Sequence, residues 1–218
     1  LGCPFPMIAG KHKGAGMLLY PAQVAEVLAP IAEYPEIQFS LKMRLGWENA
    51  SECMVLVELL NTLRLSRIAL HARTGKQQYK GHPDLEAFQG FYELCQHPLY
   101  YNGGIESLSD IRQILIRFPL LKGVFIGRGL LSSPLLAKEF KGNETFLPEQ
   151  RMSIYFAFHE ELFSAYSQVL QGETQLLVKM KTLWEYFLPE TDRKLLKRIK
   201  KSTRLQQYTE SVKAIFTS

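Results

Sequence analysis

The 218-residue chain has few cysteines and no long apolar run, and each shortage narrows its class. Its three cysteines, Cys3, Cys53 and Cys95, lack metal-ligand spacing and cannot all pair, which points away from a zinc site or a disulfide framework and toward a reduced, cytoplasmic setting. No stretch approaches the roughly eighteen apolar residues of a membrane-spanning helix, so no membrane association is expected. No charged leader with a small-residue cleavage site is visible. A loop-like Gly2-Cys3-Pro4 stands where a strand normally comes first, and the first residue is not Met, so the chain reads as a piece of a larger protein. What is present is ordinary for a folded domain: 46% hydrophobic and 22% charged residues.

Positive charge is unevenly placed. Residues 1–150 carry 15 Lys and Arg against 14 Asp and Glu, whereas residues 151–218 carry 11 against 7. Within the latter, Arg193, Lys194, Lys197, Arg198, Lys200, Lys201 and Arg204 form a run with no acid among them.

The first part alternates in pattern. Short runs at 38–44, 66–73, 99–102 and 122–127 predict strands, each ending in polar or glycine residues. Helical stretches are predicted at 21–34, 51–63, 85–95 and 109–118, with Ser51 and Ser109 as N-caps. This alternation implies parallel βαβ units. Four strands, plus Cys3 just after the expected end of a fifth, match the C-terminal part of a TIM-type (β/α)8 barrel, whose chemistry sits at the carboxyl ends of its strands. After Pro148 the pattern is helical only. Met152, Tyr155, His159, Leu162, Phe163, Tyr166, Val169 and Leu170 outline one apolar face, Thr174 is expected to cap the next helix, and Pro189 precedes the basic segment. The expected division is a partial barrel over 1–147 and an all-α helical bundle of about four helices over 148–218.

Several residues carry chemistry. Cys3 lies beside Pro4 in a glycine-rich stretch with Lys11, His12 and Lys13, a setting that favours an exposed, reactive thiol; the plainer alternative is a small buried hydrophobe. Asn102-Gly103-Gly104 and Gly127-Arg128-Gly129 each follow a strand, and such junctions either cradle a phosphate or are tight turns. Lys42 and Arg44 share one side of a strand, as do His71 and Arg73 on the next. If those sides face the barrel interior, the cations imply an anionic or electron-rich ligand, because unpaired buried charge is costly.

The ordered series Gly2-Cys3-Pro4, Lys42-Met43-Arg44-Leu45-Gly46-Trp47, His71-Ala72-Arg73-Thr74 with Gln78-Tyr79, Asn102-Gly103-Gly104-Ile105 and Gly127-Arg128-Gly129 resembles the tRNA-dihydrouridine synthase family over residues 1 to about 137. Met180-Lys181 and Trp184-Glu185-Tyr186 resemble that family's helical domain more loosely. The resemblance implies an FMN enzyme, reduced by NADPH, that saturates the 5,6 double bond of a uridine in tRNA. Hydride goes to C6 from the flavin, and Cys3 gives a proton to C5. It implies that Lys42 and His71 contact the flavin, that Asn102, Gly103, Gly104, Gly127 and Arg128 form the phosphate cradle, and that no metal takes part. Arg44 and Arg73 either touch RNA or support the site. Gly104 departs from the acidic or small polar residue usual in the family.

The basic helical part then contacts tRNA through Lys181, Arg193, Lys197, Arg198, Lys200 and Lys201, where clustered cations gain affinity by counterion release. Trp184 and Tyr208 read as bundle core, and Cys53 and Cys95 as packing residues. His12, His82, His97 and His159 carry no functional assignment. A monomer is expected. With its first strands absent, the piece by itself is expected neither to bind FMN tightly nor to turn over. Alternatives are an FMN barrel oxidoreductase acting on a small molecule and a non-catalytic RNA-binding remnant.

Overall fold

The computed structural model describes residues 1–217, which divide into two compact units. The first holds Leu1–Ile105 with Ser109–Ile126; the second holds Glu106–Leu108 with the chain from Gly127 onward. Helix α1 (Pro6–Ala9), a 3-10 turn at Gly14–Leu19 and α2 (Pro21–Leu28) lead into β1 (Phe39–Gly46). There follow α3 (Glu52–Thr62), β2 (Leu65–Thr74), α4 (Leu85–Leu94), β3 (Leu99–Asn102), α5 (Leu108–Arg117) and β4 (Gly123–Phe125). The four strands form one sheet in the order β1-β2-β3-β4, all parallel. Parallel neighbours require crossovers, and α3, α4 and α5 supply them.

Apolar alternation sets one face of this sheet against the helices. Leu41, Met43 and Leu45 of β1 are buried, and Met43, Leu70 and Tyr101 lie in register across three strands. Leu56 and Leu60 of α3, Phe88 and Phe91 of α4 and Ile111 of α5 complete the core. Phe88 meets the rings of Tyr101 and Phe118 edge-on at 4.9 and 5.0 Å. In β2 every residue from Ile68 to Thr74 is buried, as in a strand covered on both faces.

The helix starts differ from those expected. The predicted helix over 21–34 is interrupted: α2 ends at Leu28 and Ala29–Ala32 is a 3-10 turn, because Pro30 has no N–H to continue the α-helical ladder. Ser51 precedes α3 but makes no side-chain cap; the Glu52 carboxylate collects the nearby backbone N–H groups instead. Helix α5 begins at Leu108, so Ser109 lies inside its first turn and accepts from Gln113 Nε2.

The second unit is helical: α6 (Arg128–Ser132), α7 (Leu136–Gly142), α8 (Pro148–Val169), α9 (Glu173–Leu183), α10 (Arg193–Lys201) and α11 (Leu205–Phe216). Thr174 is not the cap of α9; Gly172, at φ +85°, takes that place and Thr174 falls in the first turn. Tyr155, Leu177, Met180, Trp184, Phe187, Ile199, Tyr208 and Val212 make the core. Val169, expected on the apolar face of α8, is 73% exposed at the helix end. Arg151 of α8 forms an ion pair with the buried Glu139 of α7 and donates to Tyr155 Oη at 3.1 Å.

At the centre of this core, Trp184 Nε1 donates to Tyr208 Oη at 3.0 Å, and Tyr208 Oη lies 2.7 Å from His159 Nε2. The Glu160 carboxylate, whose Oε1 lies 3.0 Å from His159 Nδ1, can only accept, so the proton of the neutral ring sits on Nδ1. Nε2 then accepts from the Tyr208 hydroxyl. Burial lowers the His159 pKa from its ordinary 6.5, against an opposing upward pull from Glu160. The unfolded chain takes up this proton near pH 6.5 and the folded chain only at lower pH, so stability falls as the pH drops through that interval. Thermal unfolding monitored at pH 7 and pH 5 is expected to show this loss, and His159→Gln is expected to remove this histidine's share of it. Tyr208→Phe, which strips both neighbours of their partner, is expected to cost about 1–3 kcal/mol in a denaturant titration.

Candidate functional site

Strand register gathers the predicted residues of the first unit. Arg44 of β1 pairs with His71 of β2, and His71 pairs with Asn102 of β3, so the three form one row across the sheet. Residues two apart on a regular strand share a face, which adds Lys42 to the same side, and contact with His71 brings Arg73 to it.

The Cys3 loop is tied to this row. The Leu1 nitrogen donates to Lys42 O at 3.0 Å and Arg44 N donates to Leu1 O at 3.4 Å, so the first residues run beside β1. Cys3 follows, half-buried, and its carbonyl accepts from Ala15 N at 2.9 Å. Gly14 closes the loop at φ +55°, and a Cβ there would stand 2.7 Å from Cys3 O. Lys11, His12 and Lys13 are exposed, and His12 stacks on Tyr20 at 4.2 Å. The other two thiols are of a different kind: burial pushes Cys53 up to about 12 and raises Cys95 as well.

The cations of the row separate into two kinds. Arg44 is 1% exposed; its Nε donates to Gly2 O at 3.1 Å, and its Nη1 donates to Thr74 O and Gln78 O, both at 2.8 Å. Arg73 is also buried, and its Nη2 donates to Gly81 O at 3.0 Å. Its Nη1 lies 3.3 Å from His71 Nε2. A guanidinium only donates, so Nε2 accepts and the His71 proton rests on Nδ1. Both guanidiniums are thus engaged with main-chain carbonyls.

Lys42 differs: its side chain is exposed, not enclosed with Arg44. Loss of hydration among neighbouring atoms still lowers its pKa, and the Arg44 cation adds to the effect. No carboxylate forms an ion pair with Lys42 or Arg44 among the described residues. Lys42 therefore offers a cation with no carboxylate bound to it, which suits an anionic or electron-rich ligand.

The loops beyond β1 and β2 are locked together. Gly75 N donates to Gly46 O at 2.7 Å, and Lys76 N donates to Trp47 O at 3.0 Å. A Cβ on Gly75 would strike the Trp47 ring at 2.1 Å. Glu52 holds the first of these loops, accepting from the backbone N of Trp47, Glu48 and Asn49 at 2.7, 3.1 and 2.7 Å. Sequence reasoning missed Glu52; the available signal was an acid in the first turn of a helix directly after a strand-loop junction.

Beyond β3, Asn102 Nδ2 donates to Phe125 O at 2.7 Å. Gly103 and Gly104 adopt φ +138° and +60°, and a Cβ on Gly104 would press on Pro83 at 3.0 Å. Both conformations favour glycine, which has no Cβ to strain them. The two glycines line a cavity of about 320 Å³ together with His82, Tyr101 and Arg117.

In the second unit, Gly127 precedes α6, whose first residue is Arg128, and a Cβ on Gly127 would meet nothing within 4 Å. Helix α10 starts at Asp192, whose Oδ1 accepts from Lys194 N and Leu195 N. Its Ile199 is buried, whereas Arg193, Lys194, Lys197, Arg198, Lys200 and Lys201 are exposed. Lys194, Lys197, Arg198 and Lys201 line an open groove of about 520 Å³ with Gln207 and Glu210 of α11. Lys181 donates to Ser202 O at 2.8 Å, the carbonyl just past α10. Trp184 and Tyr208 are buried in the bundle. Among the described residues, no group of three or more His, Cys, Asp or Glu side chains is placed to hold a metal, and no helix is long and apolar enough to cross a membrane.

The sequence was also compared with those of known proteins. A family model described as Dihydrouridine synthase (Dus) matches residues 1–217. A probable tRNA-dihydrouridine synthase of Aquifex aeolicus is 34% identical over 144 residues, covering 64% of this chain and 45% of that protein. A probable tRNA-dihydrouridine synthase of Rhizobium leguminosarum bv. phaseoli is 30% identical over 135 residues, covering 62% and 42%. tRNA-dihydrouridine synthase B of Vibrio vulnificus is 26% identical over 153 residues, covering 68% and 47%. The chain spans about half the length of the curated relatives it matches. Because the family model extends over nearly every residue, the chain belongs to the dihydrouridine synthase family.

Proposed function

We propose that this chain is the C-terminal part of a flavin-dependent enzyme that reduces uridine to 5,6-dihydrouridine in tRNA, with NADPH as reductant. Its four-stranded sheet is then a section of a (β/α)8 barrel, and the helical unit is the part that meets tRNA. One observation carries the reading: the Gly2-Cys3 segment of a dihydrouridine synthase chain is hydrogen-bonded to the strand that bears Lys42 and Arg44.

The residues present fit FMN. Lys42 offers a solvent-facing cation, no carboxylate competes for it, and Gly103 and Gly104 keep the β3 junction bare. Lys42, His71, Asn102, Gly103 and Gly104 would hold the group, and Gly127 and Arg128 keep the phosphate assignment that their sequence motif carries. When bound, FMN supplies the hydride that reaches uracil C6. The chain's own part is the proton. Cys3 Sγ delivers it to C5 as a general acid. The Lys42 ammonium places positive charge where electron density rises, in surroundings drier than bulk water. On α10, the exposed cations suit the phosphodiester backbone of tRNA.

The test is an assay of the whole protein for tightly bound FMN and for the gain of a hydrogen pair in tRNA uridine by mass spectrometry. Both are expected, and their joint absence would sink the proposal. Cys3→Ala is expected to retain FMN and lose about 10²–10⁴ in reduction rate. Lys197→Glu with Arg198→Glu is expected to weaken tRNA binding and flatten its salt dependence by about 0.7–0.9 in log–log slope per lost contact. An unchanged slope would move tRNA off α10.

A further inference from the structure

We propose that Arg44 is a positioning residue that sets where Cys3 stands, holding the loop by its main chain rather than touching RNA; this rests on the reading of Cys3 as proton donor. Its guanidinium joins three chain segments: Gly2, one residue before Cys3; Thr74, at the end of β2; and Gln78, which is held at φ +51°. Its guanidinium carbon also lies 5.5 Å from the centre of the Tyr79 ring. At 1% exposure it presents almost no surface to a nucleic acid.

The chemistry of the side chain explains the choice of residue. A planar fork with five N–H groups can serve carbonyls in different directions at once, and a lysine ammonium on a flexible stem cannot reproduce that geometry. Buried without a carboxylate partner, the cation is compensated by carbonyl dipoles, so those carbonyls are held firmly in return. Because the Gly2 carbonyl belongs to the peptide that leads into Cys3, its displacement carries the thiol with it. A shift of about 1 Å in a reacting group is enough to lose about 10² in rate.

Arg44→Lys separates the possibilities, because it keeps the charge and removes the fork. In the whole protein, alkylation of each cysteine by iodoacetamide is followed by peptide-resolved mass spectrometry. Cys53, fully buried, reports global unfolding, and Cys3 reports the loop. The expected result is Cys3 alkylation faster by about threefold or more with Cys53 still protected. kcat for tRNA reduction is expected to fall about 10²-fold while KM for tRNA and its salt slope stay as in the wild type. A phosphate contact would give the opposite split, with a raised KM, a flatter slope in Arg44→Ala and rescue by Arg44→Lys, and would overturn the proposal. So would an unchanged Cys3 rate in Arg44→Lys. If that variant exposes Cys53, Tyr79→Ala decides, since it removes the ring beside the guanidinium but leaves its carbonyl bonds. It is expected to speed Cys3 alkylation by a smaller factor, and no change would refute the assignment. Failure of the wild-type protein to reduce tRNA would count against the function alone, because the alkylation rates do not depend on turnover.

Discussion

A parallel β-ladder leaves no freedom of parity: once two strands are in register, every second residue of each must fall on a common face. Here that constraint aligns Arg44, His71 and Asn102 in one row. A slip of one residue between β1 and β2 would send Lys42 and Arg44 among Phe88, Phe91 and Leu56, and would bring Met43 out beside Cys3. The apolar residues that pack against the helices therefore also determine which polar residues converge. Hydrophobic burial does the aligning, and the chemistry is carried on the other face.

Gathering cations on one face creates a problem of repulsion and desolvation, and the first unit meets it in two ways. Arg44 and Arg73 are buried and bind main-chain carbonyls, which supply partial negative charge. Lys42 keeps contact with solvent. At Arg44 the carbonyl dipoles stabilise the cation without adding a titratable acid. The same bonds tie together the Cys3 loop, the end of β2 and the turn at Gln78, so the electrostatic solution also rigidifies the site.

What the sequence disclosed follows from which forces have a local signature. Strand positions were legible because alternation and glycine-bounded ends reflect packing within a few residues: the predicted 99–102 coincides with β3, and 66–73 differs from β2 by one residue at each end. Helix starts were less so. Ser51, Ser109 and Thr174 are all good capping residues by type, yet none caps, because nearby alternatives differ by only about 1 kcal/mol and tertiary context chooses between them. Arg44's partners were invisible for a deeper reason. They are backbone carbonyls 42, 30 and 34 residues away, and a carbonyl belongs to every residue, so no residue type marks it. Lys42 and Arg44 look equivalent in the sequence, two apart on one strand, and only the fold shows that one is a strut and the other meets solvent.

That distinction extends to the basic helix and separates the molecule's positive charge by function. The α10 cations are exposed, so their interactions are screened over a Debye length of about 8–10 Å at physiological salt. The Arg44 bonds are buried and made to dipoles at contact distance, where salt has little access. Ionic strength therefore acts on capture of a polyanion and hardly on the geometry around Cys3. The exposed cations of α10 and the buried cation of β1 thus answer to different conditions.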